Sequence, residues 1–164
     1  MQRRTFLKAA AAAAWTGLNM AQAMRPARTN FVIILADDLG FGDLSCYGNQ
    51  TIRTPRLDEL ASRGLRVGHF YANGPVCSPT RAALLTGRYQ QRCGITGVIT
   101  SADMRGPEHG LREQHANFAR LLSAAGYRTA LFGKWHLGYD IQNNPARHGF
   151  DEFRGFVSGN VDYQ

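Results

Sequence analysis

The chain is 164 residues long, a length typical of a single domain, and 44% of its residues are hydrophobic. Its formal net charge is +7, but the arginines are scattered along the chain and do not alternate with aromatic residues in a basic stripe. Composition and charge therefore do not favour a nucleic-acid-binding protein.

The first 23 residues have the pattern of an export signal. Arg3 and Arg4 precede an alanine-rich apolar run, and Ala21-Gln22-Ala23 offers the small residues of a cleavage site. The start RRTFLK is typical of twin-arginine (Tat) signals. We therefore predict a Tat-type signal peptide over 1–23, recognition by the Tat export machinery, and a periplasmic or secreted protein. The apolar run is too short and too rich in alanine to predict an integral membrane protein.

The next element is the apolar run FVIILA, from Phe31 to Ala36, which predicts a parallel strand covered on both faces. It ends in Asp37 and Asp38. Two adjacent carboxylates repel each other unless a cation lies between them, and oxygen ligands of this kind suit Ca²⁺ or Mg²⁺. The alternative interpretation of the pair is a solvated turn.

A helix and a strand are predicted between the aspartate pair and the loop that contains Cys77. Thr54 as a cap, Pro55 in the first turn and Gly64 at the end predict a helix over 55–63. The segment from Arg66 to Ala72 is typical of a strand that leads into this loop.

The loop itself reads GPVCSPTRAALLTGRY. Ser78 as the cap and Pro79 in the first position predict a short helix, with Cys77 just before its N-terminus. Free N–H groups and the helix dipole favour an anion there, and Arg81, about one turn further on, adds a positive charge. The pattern favours a site that receives a negative group. The alternatives are a buried cysteine beside a helix cap, and thiolate catalysis with His136 as the base.

The other two cysteines give weaker signals. No pair of cysteines has the C-x-x-C spacing, so we do not predict a structural zinc site. Cys46 and Cys93 could form a disulfide, but two buried small hydrophobic side chains are the preferred interpretation.

The second half of the chain continues the alternation of elements. The stretch 91–115 lacks a pattern and is predicted to be a surface loop, and an amphipathic helix is predicted over 117–125. A short strand from Tyr127 to Phe132 leads into GKWHLG, where Lys134 and His136 would point to the same side of an extended segment. No closing element is predicted after this loop, so the chain is expected to stop in mid-domain.

Helices that alternate with apolar strands predict an α/β fold, with a mostly parallel sheet flanked by helices. Ligands of such sheets bind outside the carboxyl ends of the strands. The aspartate pair, the cysteine loop and the Lys-Trp-His loop each follow a predicted strand, so we expect them to line one crevice.

Taken together and in this order, these motifs resemble the sulfatase family of the alkaline phosphatase-like superfamily. ILADDLGFGDLSCYGN resembles the opening strand and metal loop of the family, and CSPTRAALLTGRY and TALFGKWHLG resemble its two signatures. GFDEFRGFVSG resembles the segment that follows. The resemblance covers the chain from about Asn30 to its end and implies an alkaline phosphatase-like fold.

The resemblance also implies a chemistry for Cys77. In this family a maturation enzyme that reads the C-x-P-x-R context oxidises the cysteine to formylglycine. The hydrated aldehyde attacks the sulfur of a sulfate ester with one hydroxyl and expels sulfate with the other. Arg81 would hold the formylglycine, Lys134 would bind a sulfate oxygen, and His136 would contact the diol and the substrate and assist elimination.

The metal site is implied in the same way. Asp37 and Asp38, together with Cys77 as formylglycine, would ligate a divalent cation, which is Ca²⁺ in most relatives, with Mg²⁺ as the alternative. The later part of the family normally supplies further metal ligands, a histidine and a lysine, and none of these can be placed here. Residues 24–164 are therefore expected to be the N-terminal part of a sulfatase catalytic domain, inactive in isolation.

The predicted function is hydrolysis of sulfate esters, in the manner of an arylsulfatase. One alternative is a phosphonate monoester or phosphodiester hydrolase of the same superfamily. Another is an inactive, truncated or sugar-binding relative, in which Cys77 stays a thiol. The sequence does not identify the ester.

Overall fold

The computed structural model describes residues 28–100 and 107–160, with the side chain of Pro107 excepted. The chain divides into two units, Met1–Asp38 and Leu39–Gln164. The predicted signal peptide over 1–23 lies outside the described residues.

The described part of the first unit, residues 28–38, contains no strand. The prediction of a covered strand from Phe31 to Ala36 was wrong, since Val32 is 82% exposed and Ile34 is 84% exposed. A strand needs a partner for its backbone hydrogen bonds, and these described residues include no second segment that pairs with the run.

The second unit contains a parallel pair of strands and three α-helices among its described residues. Strand β1 pairs with β2 from Ala130 opposite Glu152 to Lys134 opposite Phe156. The elements in chain order are α1 (Pro55–Arg63), α2 (Cys77–Thr86), α3 (Phe118–Ala124), β1 (Ala130–Lys134) and β2 (Glu152–Phe156). Short 3₁₀-helices cover Phe41–Asp43, Ser45–Tyr47, Gln90–Cys93, Pro107–His109, Ile141–Asn143 and Pro145–His148.

Helices α1 and α3 confirm the sequence predictions because their start signals are local. Pro55 opens α1, and the Asp58 carboxylate in its first turns accepts hydrogen bonds from the hydroxyls of Ser45 and Thr54. At the start of α3 the side chain of Asn117 accepts from the backbone N–H of Arg120, 3.0 Å away. This bond satisfies one of the N–H groups that a helix start leaves open.

The strand predictions were less accurate. The segment from Arg66 to Ala72 is irregular, and β1 begins at Ala130 where Tyr127 was predicted. The backbone N–H of Thr129 bonds to the Asp151 carboxylate at 2.7 Å, so the backbone before Ala130 belongs to a turn contact and not to the ladder.

Strand β2 was not predicted at all, because glycine and charged residues interrupt its apolar pattern. Its partner nevertheless requires a glycine at position 155. A Cβ atom on Gly155 would lie only 1.9 Å from the carbonyl oxygen of Gly133 in β1. The two strands therefore approach more closely than any side chain at this position would permit.

The predicted surface loop over 91–115 supplies much of the core, which corrects that prediction. Cys93, Ile95, Ile99 and Leu111 are buried in the same cluster as Trp135. Without a helical or strand period, these isolated apolar residues gave no signal in the sequence. Cys93 packs there as a free thiol, which confirms the preferred interpretation for this residue; Cys46 is also a free thiol but is only half-buried.

A histidine lies in this core as well. His148 is completely buried, and its ring centroid is 5.4 Å from that of Trp135. Burial, helped by the Arg120 guanidinium, lowers the pKa of His148 from 6.5 to about 4, although Glu113 opposes the shift. The imidazole is therefore neutral in the folded protein at pH 7.

This histidine predicts a loss of stability in acid. Because the folded pKa lies below the unfolded one, the unfolded chain binds the extra proton between pH 6.5 and 4. The stabilisation is complete above pH 6.5, and about 3 kcal/mol is lost as the pH falls to about 4. Urea denaturation at several pH values should show a flatter dependence for His148→Phe. The exposed His69→Phe serves as the control, and equal slopes for the two variants would contradict the prediction.

Candidate functional site

Helix α2, which carries Cys77, begins two residues earlier than predicted. Val76 is the N-cap of α2, and Cys77 is its first residue. Ser78 is not the cap: it is fully buried, and its hydroxyl accepts a hydrogen bond from the backbone N–H of Ile99 at 3.2 Å. Pro79 takes the third position, where its missing N–H still costs nothing. Cys77 thus lies within the first turn, at the positive end of the helix dipole.

One cationic side chain contacts Cys77, and a second holds the backbone of the first. Lys134, the last residue of β1, places its Nζ atom 3.3 Å from the Sγ atom of Cys77. Arg81, one turn further along α2, donates a hydrogen bond to the backbone carbonyl of Lys134 at 2.7 Å. This bond fixes α2 against the carboxyl end of β1, which brings a helix N-terminus, an arginine and a lysine to one point.

His136 lies two residues beyond Lys134 and is only 3% exposed. Its backbone is left-handed, with φ of 56°, and not extended as the sequence analysis assumed. The intervening Trp135 is held in the core, where its indole N–H donates to the carbonyl of Asn143 at 2.8 Å. The chain therefore turns sharply at His136, whose Nε2 atom lies 2.8 Å from the carbonyl oxygen of Ile99.

Cys77, Lys134 and His136 line one cavity of about 480 Å³. It lies beyond the carboxyl ends of β1 and β2, the position expected of a ligand site in a parallel sheet. Its remaining walls come from residues that the sequence analysis missed: Val98, Ile99, Thr100, Tyr139, Ser158, Gly159 and Asn160. The only available signal was the small polar run SGN, which is common in ordinary turns.

Asp37 and Asp38 belong to the first unit, and both are exposed. Asp38 has a left-handed backbone with φ of 57°, a conformation that aspartate tolerates better than most residues. Both side chains offer the hard oxygen donors that Ca²⁺ and Mg²⁺ prefer, so their chemistry fits the predicted cation. The ligand set of these two residues with Cys77 stays a prediction, as do the roles of Arg81, Lys134 and His136.

Comparisons with known proteins agree with this arrangement. The family model described as Sulfatase matches residues 29–164. The chain is 46% identical to the steryl-sulfatase of Mus musculus over 144 residues, which is 83% of this chain and 23% of that protein. It is 45% identical to the arylsulfatase A of Homo sapiens over 128 residues, 77% of this chain and 25% of that protein.

Solved structures show the same relationship. The PsFucS1 sulfatase from Pseudoalteromonas sp. superposes with a TM-score of 0.72 and 37% identity, over 88% of this chain and 29% of that one. Ps i-CgsB superposes with a TM-score of 0.73 and 38% identity, over 79% of this chain and 28% of that one. These likenesses confirm the predicted α/β, alkaline phosphatase-like fold. The chain spans about a quarter of the length of the curated relatives it matches.

The bond from Arg81 to the Lys134 carbonyl predicts a stability difference between two arginine variants. Arg81→Ala removes a charged donor and leaves a half-buried carbonyl without it, which should cost about 2 kcal/mol of unfolding free energy. Arg92→Ala, at an exposed position, is the matched control and should change little. Urea denaturation of both variants measures the difference, and equal midpoints would show that the bond does not fix α2 to β1.

Proposed function

The chain belongs to the sulfatase family, and we propose that it carries part of the active site of an enzyme that hydrolyses sulfate esters. The observation that carries this proposal is the contact of Lys134 with Cys77, the first residue of α2, at the edge of one cavity, with Arg81 bound to the Lys134 carbonyl. A sulfate ester is anionic, and its negative charge spreads over more oxygens as the ester bond breaks. Fixed donors and cations aimed at that charge stabilise the transition state.

We propose further that Cys77 is converted to formylglycine by a maturation enzyme, so that its Sγ atom stands in for the oxygen of the modified side chain. Converted in this way, the residue would supply a hydrated aldehyde. One hydroxyl attacks sulfur and displaces the alcohol of the ester, and the other then loses its proton and re-forms the aldehyde as sulfate leaves. The C-S-P-T-R context that resembles the family's modification signal supports this proposal.

We assign three separate roles in the reaction to residues of this chain. The Lys134 ammonium, 3.3 Å from Sγ of Cys77, is placed to bind an oxygen of the sulfate group. Arg81 holds the modified side chain and, through the Lys134 carbonyl, the end of β1. His136, held against the same cavity, contacts the diol and the substrate and moves a proton during elimination.

A divalent cation completes the proposal, held by Asp37, Asp38 and the oxygen of the modified Cys77. The cation would polarise the sulfate oxygens and favour ionisation of the attacking hydroxyl. Ca²⁺ is the preferred ion and Mg²⁺ the alternative, since both take oxygen ligands.

For its location, we propose export through the Tat machinery, directed by residues 1–23, and a periplasmic or secreted enzyme. Tat export moves folded proteins, which allows Cys77 to be modified before export. In the described residues no helix combines the length and apolarity needed to cross a membrane.

The substrate class stays broad. The relatives include steryl-sulfatases and an N-acetylgalactosamine-6-sulfatase, so both sterol and carbohydrate sulfates are candidates for this protein. The wall residues Val98 and Tyr139 supply apolar surface, a kind of surface that suits contact with either ring system. Comparing turnover of an aryl sulfate with that of an aryl phosphodiester by the full-length enzyme separates the sulfatase from the phosphodiesterase alternative.

Substitutions of Cys77 test the proposed nucleophile in the full-length enzyme. Cys77→Ala should reduce turnover of an aryl sulfate to background, because no nucleophile remains. Cys77→Ser should release one equivalent of alcohol and then stop, because its single hydroxyl cannot expel the sulfate. Cys46→Ser, at the half-buried free thiol, is the control and should retain turnover.

Mass spectrometry tests the proposed conversion of Cys77 to formylglycine directly. Trypsin releases residues 67–81, and mass spectrometry should find this peptide at the mass of the aldehyde and not of the thiol. An unmodified thiol in active enzyme would contradict the formylglycine proposal, and steady turnover by Cys77→Ser would contradict the role of the second hydroxyl.

The cation proposal predicts an altered calcium requirement. Chelator-treated full-length enzyme should lose turnover and recover it when Ca²⁺ is added. Asp37→Asn should raise the Ca²⁺ concentration for half-maximal activity by about 10-fold or more, because a charged ligand is lost. Glu108→Gln, at an exposed carboxylate, is the control. The ligand role of Asp37 is wrong if both variants respond like the unmodified enzyme.

A further inference from the structure

The imidazole of His136 is held on two sides by backbone. Its Nε2 atom lies 2.8 Å from the carbonyl oxygen of Ile99. A carbonyl oxygen only accepts hydrogen bonds, so Nε2 must carry a proton and donate it. In the neutral imidazole this assigns the unprotonated nitrogen to Nδ1.

Gly159 provides the second side. A Cβ atom at this position would lie 2.6 Å from Cε1 and 2.8 Å from Nε2 of His136. Contacts this short do not occur, so the backbone of Gly159 packs directly on the ring. Glycine is needed for this close approach. Any larger residue must move either the ring or the segment that carries residue 159.

The segment after β2 also holds the backbone of His136. The carbonyl of Phe156 accepts from the N–H of Trp135 at 2.9 Å, and the carbonyl of Val157 accepts from the N–H of His136 at 3.2 Å. The N–H of Gly159 donates to the hydroxyl of Tyr139, 3.4 Å away. The segment is therefore held relative to His136 up to the ring contact, and these bonds oppose a shift that would admit a side chain.

From these contacts we infer that Gly159 is a positioning residue for His136. By leaving space for the ring, it allows the bond from Nε2 to the Ile99 carbonyl, and this bond selects the tautomer in which Nδ1 is the proton acceptor. The catalytic consequence rests on the proposed function, since it assumes that His136 acts on the bound ester. The assignment of tautomer and ring position is independent of that function.

The test compares Gly159→Ala with Gly68→Ala in the full-length protein. Gly68 is the matched control, because no atom lies within 4 Å of the Cβ that alanine would add there. Gly159→Ala should lower kcat by about 100-fold, the order expected when a reacting group is displaced by about 1 Å, while KM changes little. Gly68→Ala should retain the kcat of the unmodified enzyme, and a Gly159→Ala enzyme equal to it would overturn the inference.

A double variant distinguishes an effect of Gly159 on the position of His136 from a general effect on the structure. In a His136→Ala background the ring is absent, so adding Gly159→Ala should cause no further loss of kcat. A further loss as large as that seen with His136 present would mean that Gly159 acts on the structure and not through His136. Should Gly159→Ala fail to fold, Tyr139→Phe removes the acceptor for the Gly159 N–H without adding an atom. The readout for this variant is the nitrogen NMR of the His136 ring, whose signals should shift; unchanged ring signals would overturn the inference.

Nitrogen NMR of histidine-labelled protein gives a readout that does not depend on activity. The His136 ring should show a protonated Nε2 and an unprotonated Nδ1, and Gly159→Ala should shift these signals where Gly68→Ala does not. A proton on Nδ1 instead would overturn the inference. An enzyme that hydrolyses no sulfate ester but shows the expected tautomer would refute the proposed function and support the positioning role.

Discussion

The site depends on the parallel pairing of β1 with β2. The close approach of the strands leaves no room for a side chain at Gly155, which lies opposite Gly133 in the register. In this register both strands end at one edge, so Lys134 and the segment 158–160 arrive at the same cavity. A shift by one residue would turn Lys134 to the opposite face of the sheet and remove its contact with Cys77.

Packing in the core fixes the backbone that carries Lys134 and His136. Trp135 lies between Lys134 and His136 in the chain, and its ring is clamped by an edge contact with Phe150 and the hydrogen bond to Asn143. Burial of so large a side chain contributes on the order of 3 kcal/mol, which fixes the path of the backbone on either side of it. The two polar neighbours of a buried tryptophan are thereby held in place without any covalent constraint.

These contacts explain what the sequence could and could not predict. Helices α1 and α3 were predicted because Pro55 in the first turn of α1 and the amphipathic pattern of α3 are local signals. Cys77, Lys134 and His136 were found because their side chains carry unusual chemistry. Strand β2 was missed because pairing is a contact between distant segments. Ile99 and Gly159 were missed because a backbone carbonyl and an absent side chain leave no chemical signature in a sequence.

The charges at the cavity point to the kind of ligand that it is built to hold. Arg81 reaches the Lys134 carbonyl, and Lys134 reaches Cys77, so two cations and a helix N-terminus occupy a small region. Hydrogen bonds and packing hold these groups in place before any ligand arrives. Under the proposed function, the fold would therefore present fixed positive charge to the ester without reorganisation, which is the arrangement that stabilises negative charge developing during a reaction.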